Sequence, residues 1–335
     1  MTDAVPAEPA DTGTDPITPT RRQRIVRFVI RMGLLTLAIV AMTSLLSGID
    51  FAAVWSDLRE ASPWLLLLGF VLANLTRVTQ ATSTLGAAPK PLPFGPVYAL
   101  QLTMSFITVA VPSYAARVAV SIRFYQKQAV ATGAALAAGT LDVMTTFFIE
   151  VIGIFVLAVF TDASLDVQIT FPTDSTKRLI IIALVVVVVA IVVLAVVDTW
   201  RRFLVDWTKQ IAHDAWSALR GLRSLRRWAL LLGGNLGTEL LFTLALGTFA
   251  HALGTTVPFI DLLLIHLTVS LLAGLVPVPG GVGVAEALLT YGLIRSGMTD
   301  DAAFAAVIAY RASTFYLPPI WGYVAMRWLQ RRDYL

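Results

Sequence analysis

The stretch Pro277-Val278-Pro279-Gly280-Gly281-Val282-Gly283-Val284-Ala285-Glu286 interrupts a long apolar run and ends on a carboxylate. Two prolines remove N–H donors and stop the incoming helix, while Gly280, Gly281 and Gly283 permit torsions and close approaches that a side chain would block. A helix restarting near Val282 points its positive end into the break and carries Glu286 in its first turn or two. Backbone that leaves the helix at membrane depth survives only when buried in protein or lining a water-filled cavity. A break with a carboxylate beside it is therefore a candidate site.

The surrounding composition makes the membrane setting explicit. Of 335 residues, 57% are hydrophobic and 14% charged, with mean hydropathy +0.77, which places the chain among polytopic membrane proteins. There is no cysteine, which excludes disulfides, iron–sulfur clusters and thiolate zinc sites. A net charge of +4 gives no reason to expect nucleic acid, because the basic residues flank apolar runs and read as topology signals.

Residues 1–20, rich in Pro, Asp and Glu, read as a disordered cytoplasmic tail. Five arginines between Arg21 and Arg31 precede the first apolar run, which reads as a retained helix rather than a cleaved signal. Runs long enough to span lie near 28–47, 63–85, 129–160, 178–198, 228–252 and 301–327. Two more, near 97–128 and 257–298, are apolar but broken, at Val111-Pro112-Ser113 and at the glycine-rich motif.

If both broken stretches are re-entrant hairpins, the positive-inside rule is well obeyed. Of the 25 basic residues only Arg59, Lys177, Arg178 and Arg295 then lie outside, and only Arg77 and Arg311 within the membrane. Both termini are then cytoplasmic. The expected fold class is an all-α integral membrane protein with about six full transmembrane helices and two re-entrant broken hairpins. A first membrane repeat over 21–160, an external loop over 161–177 and a second repeat over 178–335 make the halves inverted copies. The basic loop at 199–227, with Trp207 and Trp216, reads either as an amphipathic helix on anionic inner-leaflet lipid or as an ordinary positive-inside loop.

Charged residues inside a bilayer are costly and default to functional hypotheses. Candidate substrate-binding residues are Arg77, Asp142, Glu239, Glu286 and Arg311; Pro112, Pro277, Pro279, Gly280, Gly281 and Gly283 make the breaks. An arginine fork suits a lipid phosphate, but Arg77 pairing with Asp142, or Arg311 with Glu286 or Glu239, is the structural alternative. Glu286 is the foremost candidate, able to bind a cationic headgroup, carry a proton or hold Arg311. Glu239 lies in a small-residue stretch that equally suits helix packing. Glu150, nearer a span end, is discounted, and His251 and His266 read as structural histidines. No metal cluster, nucleophile elbow or P-loop is present, so neither metal, cofactor nor direct ATP use is expected.

The glycine-rich motif, with Tyr310-Arg311-Ala312-Ser313-Thr314-Phe315-Tyr316-Leu317-Pro318-Pro319 and Gly322 after it, resembles the lysylphosphatidylglycerol synthetase transmembrane region, a flippase-like integral membrane family. The likeness runs from about 24 to 330. The first half departs from it. Pro112-Ser113-Tyr114-Ala115-Ala116-Arg117 stands where similar proteins show proline-glycine followed by an acidic residue and an arginine, and Ala138-Gly139 stands where they carry Glu-Arg. The soluble acyltransferase domain fused to some members has no counterpart here, so synthesis of aminoacyl-lipid by this chain is not expected.

The resemblance implies movement of a phosphate-bearing lipid between leaflets: a phospholipid, an aminoacyl-phospholipid or a lipid-linked glycan. It also implies a prokaryotic plasma membrane. The alternatives are an embedded lipid-modifying enzyme using Glu286, Glu239 or His266 as acid or base, and a non-transporting membrane partner of a lipid-synthesis enzyme.

Overall fold

The computed structural model describes residues 51–110, 114–160, 224–275 and 279–335. The tail at 1–20, the runs at 28–47 and 178–198, the loop at 161–177, most of the basic loop, Pro112 and Pro277 lie outside these residues. In chain order the helices are α1 (Phe51–Glu60), α2 (Pro63–Ala87), α3 (Phe94–Ala110), α4 (Tyr114–Lys127), α5 (Thr132–Phe160), α6 (Leu225–Ala252), α7 (Phe259–Leu275), α8 (Val284–Arg295), α9 (Asp300–Arg311) and α10 (Pro318–Arg331). A 3-10 turn at Pro279–Gly281 precedes α8, and a π-turn at Ala312–Tyr316 joins α9 to α10. Among the described residues there is no strand.

Three of these helices, α2, α5 and α6, are long and apolar enough to cross a membrane. The chain is a multi-pass membrane protein. On α5 the aromatic and branched side chains Phe148, Ile152, Phe155, Val159 and Phe160 stay exposed, as an apolar surface in contact with lipid requires. The expected span at 228–252 starts earlier, because Leu225–Arg227, read from sequence as the end of the basic loop, form the first turn of α6.

The centre of the molecule is the pairing of α2 with α6. Lipid tails offer no hydrophobic incentive for two apolar helices to associate, so close backbone contact through small residues has to supply it. A Cβ on Gly86 would lie 2.4 Å from the Leu231 backbone nitrogen, and one on Gly234 2.4 Å from that of Ser83. The Thr79 and Thr238 hydroxyls share a hydrogen bond of 2.7 Å across the same interface. At one end Arg227 of α6 donates to the Gly86, Ala87 and Ala88 carbonyls, which end α2 without intrahelical partners.

Each broken apolar stretch is a pair of packed helices, α3 with α4 and α7 with α8. The 3-10 turn touches both α7 and α3, so the glycine-rich break meets the first broken pair. Lining α9, buried Ala302, Ala303, Ala305 and Ala306 let it sit tightly among α1, α6 and α8. The stretch read as one span at 301–327 is a continuous helical path with a defect in it: Arg311, Ala312 and Leu317 all keep right-handed helical torsions, and the Leu317 N–H reaches the Ala312 carbonyl five residues back.

Candidate functional site at the glycine break and the π-turn

Pro318 and Pro319 explain the defect. An α-helix would satisfy the Thr314 carbonyl with the N–H of residue 318, and proline has none. The ladder slips by one residue into the π-turn, and the Thr314 carbonyl is left for another donor. Arg77 supplies it: its Nη2 donates to the Thr314 oxygen at 3.0 Å, while Nη1 donates to Gln80 Oε1 at 2.9 Å. The Arg77 Nε is buried with no hydrogen-bond partner.

Residue 311 lies at the other edge of the same π-turn. Arg311 donates through Nε to Glu286 Oε1 at 2.7 Å and through Nη2 to the Gly280 carbonyl at 2.8 Å. Its guanidinium carbon lies 4.6 Å from the centre of the Phe315 ring, a cation–π distance. Glu286 is 0% exposed. Besides Arg311 it accepts the Tyr316 hydroxyl on Oε1 at 2.9 Å and the Gly283 N–H on Oε2 at 2.6 Å. The last contact is the carboxylate half of a capping box at the start of α8.

Gly280, Gly281 and Gly283 have φ of 64°, 62° and 87°, torsions that side chains rarely adopt. A Cβ on Gly280 would also meet the Phe315 ring at 2.0 Å. The break is thus shaped against the π-turn, and Arg311 ties the two together.

Two of the sequence alternatives are thereby resolved. Arg311 pairs with Glu286, not Glu239. Arg77 does not pair with Asp142, and among the described residues no carboxylate is bonded to it. Arg117, in the first turn of α4, lies within electrostatic range of Arg77.

Asp142 belongs to a separate network. Its oxygens accept from Thr84 Oγ1 at 3.3 Å and Asn235 Nδ2 at 3.1 Å; Thr146 donates to Asn235, and Gln101 to Thr84. Glu239 lies apart again, with His266 Nε2 2.9 Å from its Oε2, and Glu150 accepts from Ser270 Oγ at 2.6 Å. Sequence reasoning missed Tyr316, Asn235 and Thr84, read His266 as structural except as an acid or base in the enzyme alternative, and set Glu150 aside. The twin prolines at 318–319 were the available sign that a carbonyl near 314 needed a partner.

The Lysylphosphatidylglycerol synthase TM region matches residues 28–322 of the chain. The chain belongs to this family. The match includes the glycine break, the Glu286–Arg311 pair and the π-turn, so the site just described lies within the lysylphosphatidylglycerol synthase transmembrane region. A search of curated proteins finds no match.

Proposed function

We propose that the chain moves a phosphate-bearing lipid between the two leaflets, its headgroup passing along the π-turn while its acyl chains stay in the bilayer. The observation that carries this reading is Arg77. A guanidinium at membrane depth is expensive, and the ordinary way to offset it is a carboxylate. Arg77 has instead one carbonyl, one amide oxygen and a buried, unbonded Nε, with Arg117 nearby. Such a group holds an anion well, and its planar fork matches a phosphate.

Membership in the family ties the chain to lipid, and the packing supports an inverted repeat around the α2–α6 pair. Exchange of the halves turns α2–α3 into α6–α7, α3–α4 into α7–α8, and α4–α5 into α8–α9. It also turns the contact of α7 with α5 into that of α3 with the α9–α10 path; all of these contacts occur. In this arrangement Glu286 and Arg311 latch the second broken pair to the π-turn, and Arg77 holds the headgroup. The first broken pair touches the 3-10 turn through α3, a contact through which the two can move together.

Native mass spectrometry of the protein released from nanodiscs tests the binding step. We expect a retained phosphate-bearing lipid in the wild type and a loss of at least about tenfold in occupancy in Arg77→Gln, the lower end of what a charge-assisted hydrogen bond contributes. Retention of neutral diacylglycerol and phospholipid alike, unchanged in Arg77→Gln, contradicts the assignment.

A further inference from the structure

Outside the Glu286 site, three helices bring four polar side chains together as two bonded pairs. Glu239 on α6 and His266 on α7 are both buried and bonded to each other. One helical turn on, Ser270 shares the face of α7 with His266 and donates to Glu150, which projects from α5 and is itself buried. Glu150 lies within electrostatic range of both Glu239 and His266.

We propose that Glu239, His266, Ser270 and Glu150 form a proton-binding relay that couples lipid movement to a proton gradient. The proposal rests on the translocation reading above and adds its energy source.

Charge accounting favours a proton as the ligand. The cluster holds two carboxylates and one imidazole, and among the described residues no Lys or Arg is bonded to either carboxylate. With His266 neutral, two negative charges are buried together in an apolar bundle, a state that proton uptake relieves. One proton on His266 converts its contact with Glu239 into an ion pair, and a second on Glu150 neutralises the far end. Histidine is the side chain that changes charge near neutral pH. Among the described residues no group of three His, Asp or Glu is arranged to hold a metal ion.

The groups facing the cluster from its neighbours do not supply a fixed counter-charge. From α5 comes Glu150, and from α6 come Glu239 and the Phe242 ring, 5.5 Å from the imidazole. The neutral phenol Tyr310 on α9 lies within electrostatic range of Glu239. From α8, Gly292 packs on Ile265, while Glu286 is committed to Arg311, Tyr316 and Gly283. Asp261 is in the first turn of α7, more than one turn from His266.

Glu286 is poorly suited to the same task, because both its oxygens are already committed to three donors including an arginine. The relay, by contrast, joins α7, the arm that leads into the glycine break, to α5 and α6, which span the membrane. Its protonation therefore biases how tightly that arm packs. Tyr310 is also within electrostatic range of Arg311 and Arg77.

The test uses the full chain in vesicles containing a headgroup-labelled anionic phospholipid, with and without an imposed pH gradient. At one proton per lipid, a gradient of about one pH unit should shift the leaflet distribution up to about tenfold. His266→Gln and Glu150→Gln should lose the shift, leaving the same distribution with and without the gradient. Because a variant can fail to fold, the wild type is also examined by 15N-histidine NMR in nanodiscs, its three histidines assigned with His213→Gln and His251→Gln.

The His266 signals should report both its neutral and its protonated form over the pH range in which the wild type responds to the gradient. A His266 held in one form across that range overturns the relay. A wild type that speeds lipid exchange with no response to the gradient overturns the coupling and leaves translocation standing; a wild type that moves no lipid overturns both.

Discussion

Glu286→Gln preserves the shape of a fully buried side chain and removes its charge, and the consequence can be worked through atom by atom. Oε1 serves Arg311 and Tyr316, and Oε2 serves the Gly283 N–H. A glutamine amide can turn its oxygen to only one of these sides. With the oxygen toward Arg311, its NH2 faces the Gly283 N–H, and a buried donor left without an acceptor costs about 1–3 kcal/mol. Arg311, only 11% exposed at its side chain, also loses its counter-charge. Breaking one partner of a buried ion pair typically costs roughly 3–5 kcal/mol, a figure that already contains part of the first.

We therefore expect Glu286→Gln to destabilise the protein by about 3–5 kcal/mol, and Arg311→Gln by a similar amount. The double variant leaves no buried charge at this pair and should be less destabilised than the sum of the singles by at least about 1 kcal/mol. Equilibrium unfolding in mixed micelles, followed by tryptophan fluorescence, measures all four proteins. A single variant within about 0.5 kcal/mol of wild type, or strict additivity in the double, would refute a buried pair that holds the break to the π-turn.

Three further outcomes are accessible. Gly280→Ala should destabilise by about 2 kcal/mol or more in the same unfolding assay, since it adds left-handed strain and drives a methyl group into the Phe315 ring; a wild-type transition would show that the break does not press on that ring. Adjacent glycines of α6 should behave oppositely: Gly234→Ala meets Ser83 backbone and lowers the unfolding midpoint, whereas Gly233→Ala has open space and raises it slightly, by up to about 1 kcal/mol, through helix propensity. Since the chain has no cysteine, Ser164→Cys and Ser296→Cys should react with an impermeant thiol reagent from outside, and Ser217→Cys and Gln126→Cys should not; external labelling at Gln126→Cys would make the first broken pair a crossing.

The helices were largely legible in the sequence because hydropathy and proline-glycine breaks are local signals. The apolar runs at 63–85 and 129–160 became α2 and α5 with ends shifted by three residues or fewer, and both broken stretches are broken pairs. Glu286 was legible for the same reason, since its place after Gly283 puts it in a helix first turn. Pairings between helices were not. Whether Arg77 meets Asp142 or the Thr314 carbonyl depends on the rotation of α2 against its neighbours, which composition does not encode. His266 and Glu239 lie 27 residues apart on different helices, and neither carries a local mark of the other. The π-turn was hidden in an unbroken apolar run, because its cause is the missing N–H of Pro318 and not a loss of hydropathy.

The central claim is tested most directly in reconstituted vesicles, by the rate at which a headgroup-labelled anionic phospholipid becomes accessible to an external quencher. We expect wild type to exceed protein-free vesicles and Arg77→Gln to fall by about tenfold or more, with Arg77→Lys between them because a lysine keeps the charge without the fork. Wild-type vesicles indistinguishable from protein-free ones for every phospholipid and glycolipid tested, or a folded Arg77→Gln that moves anionic lipid at the wild-type rate, would contradict it.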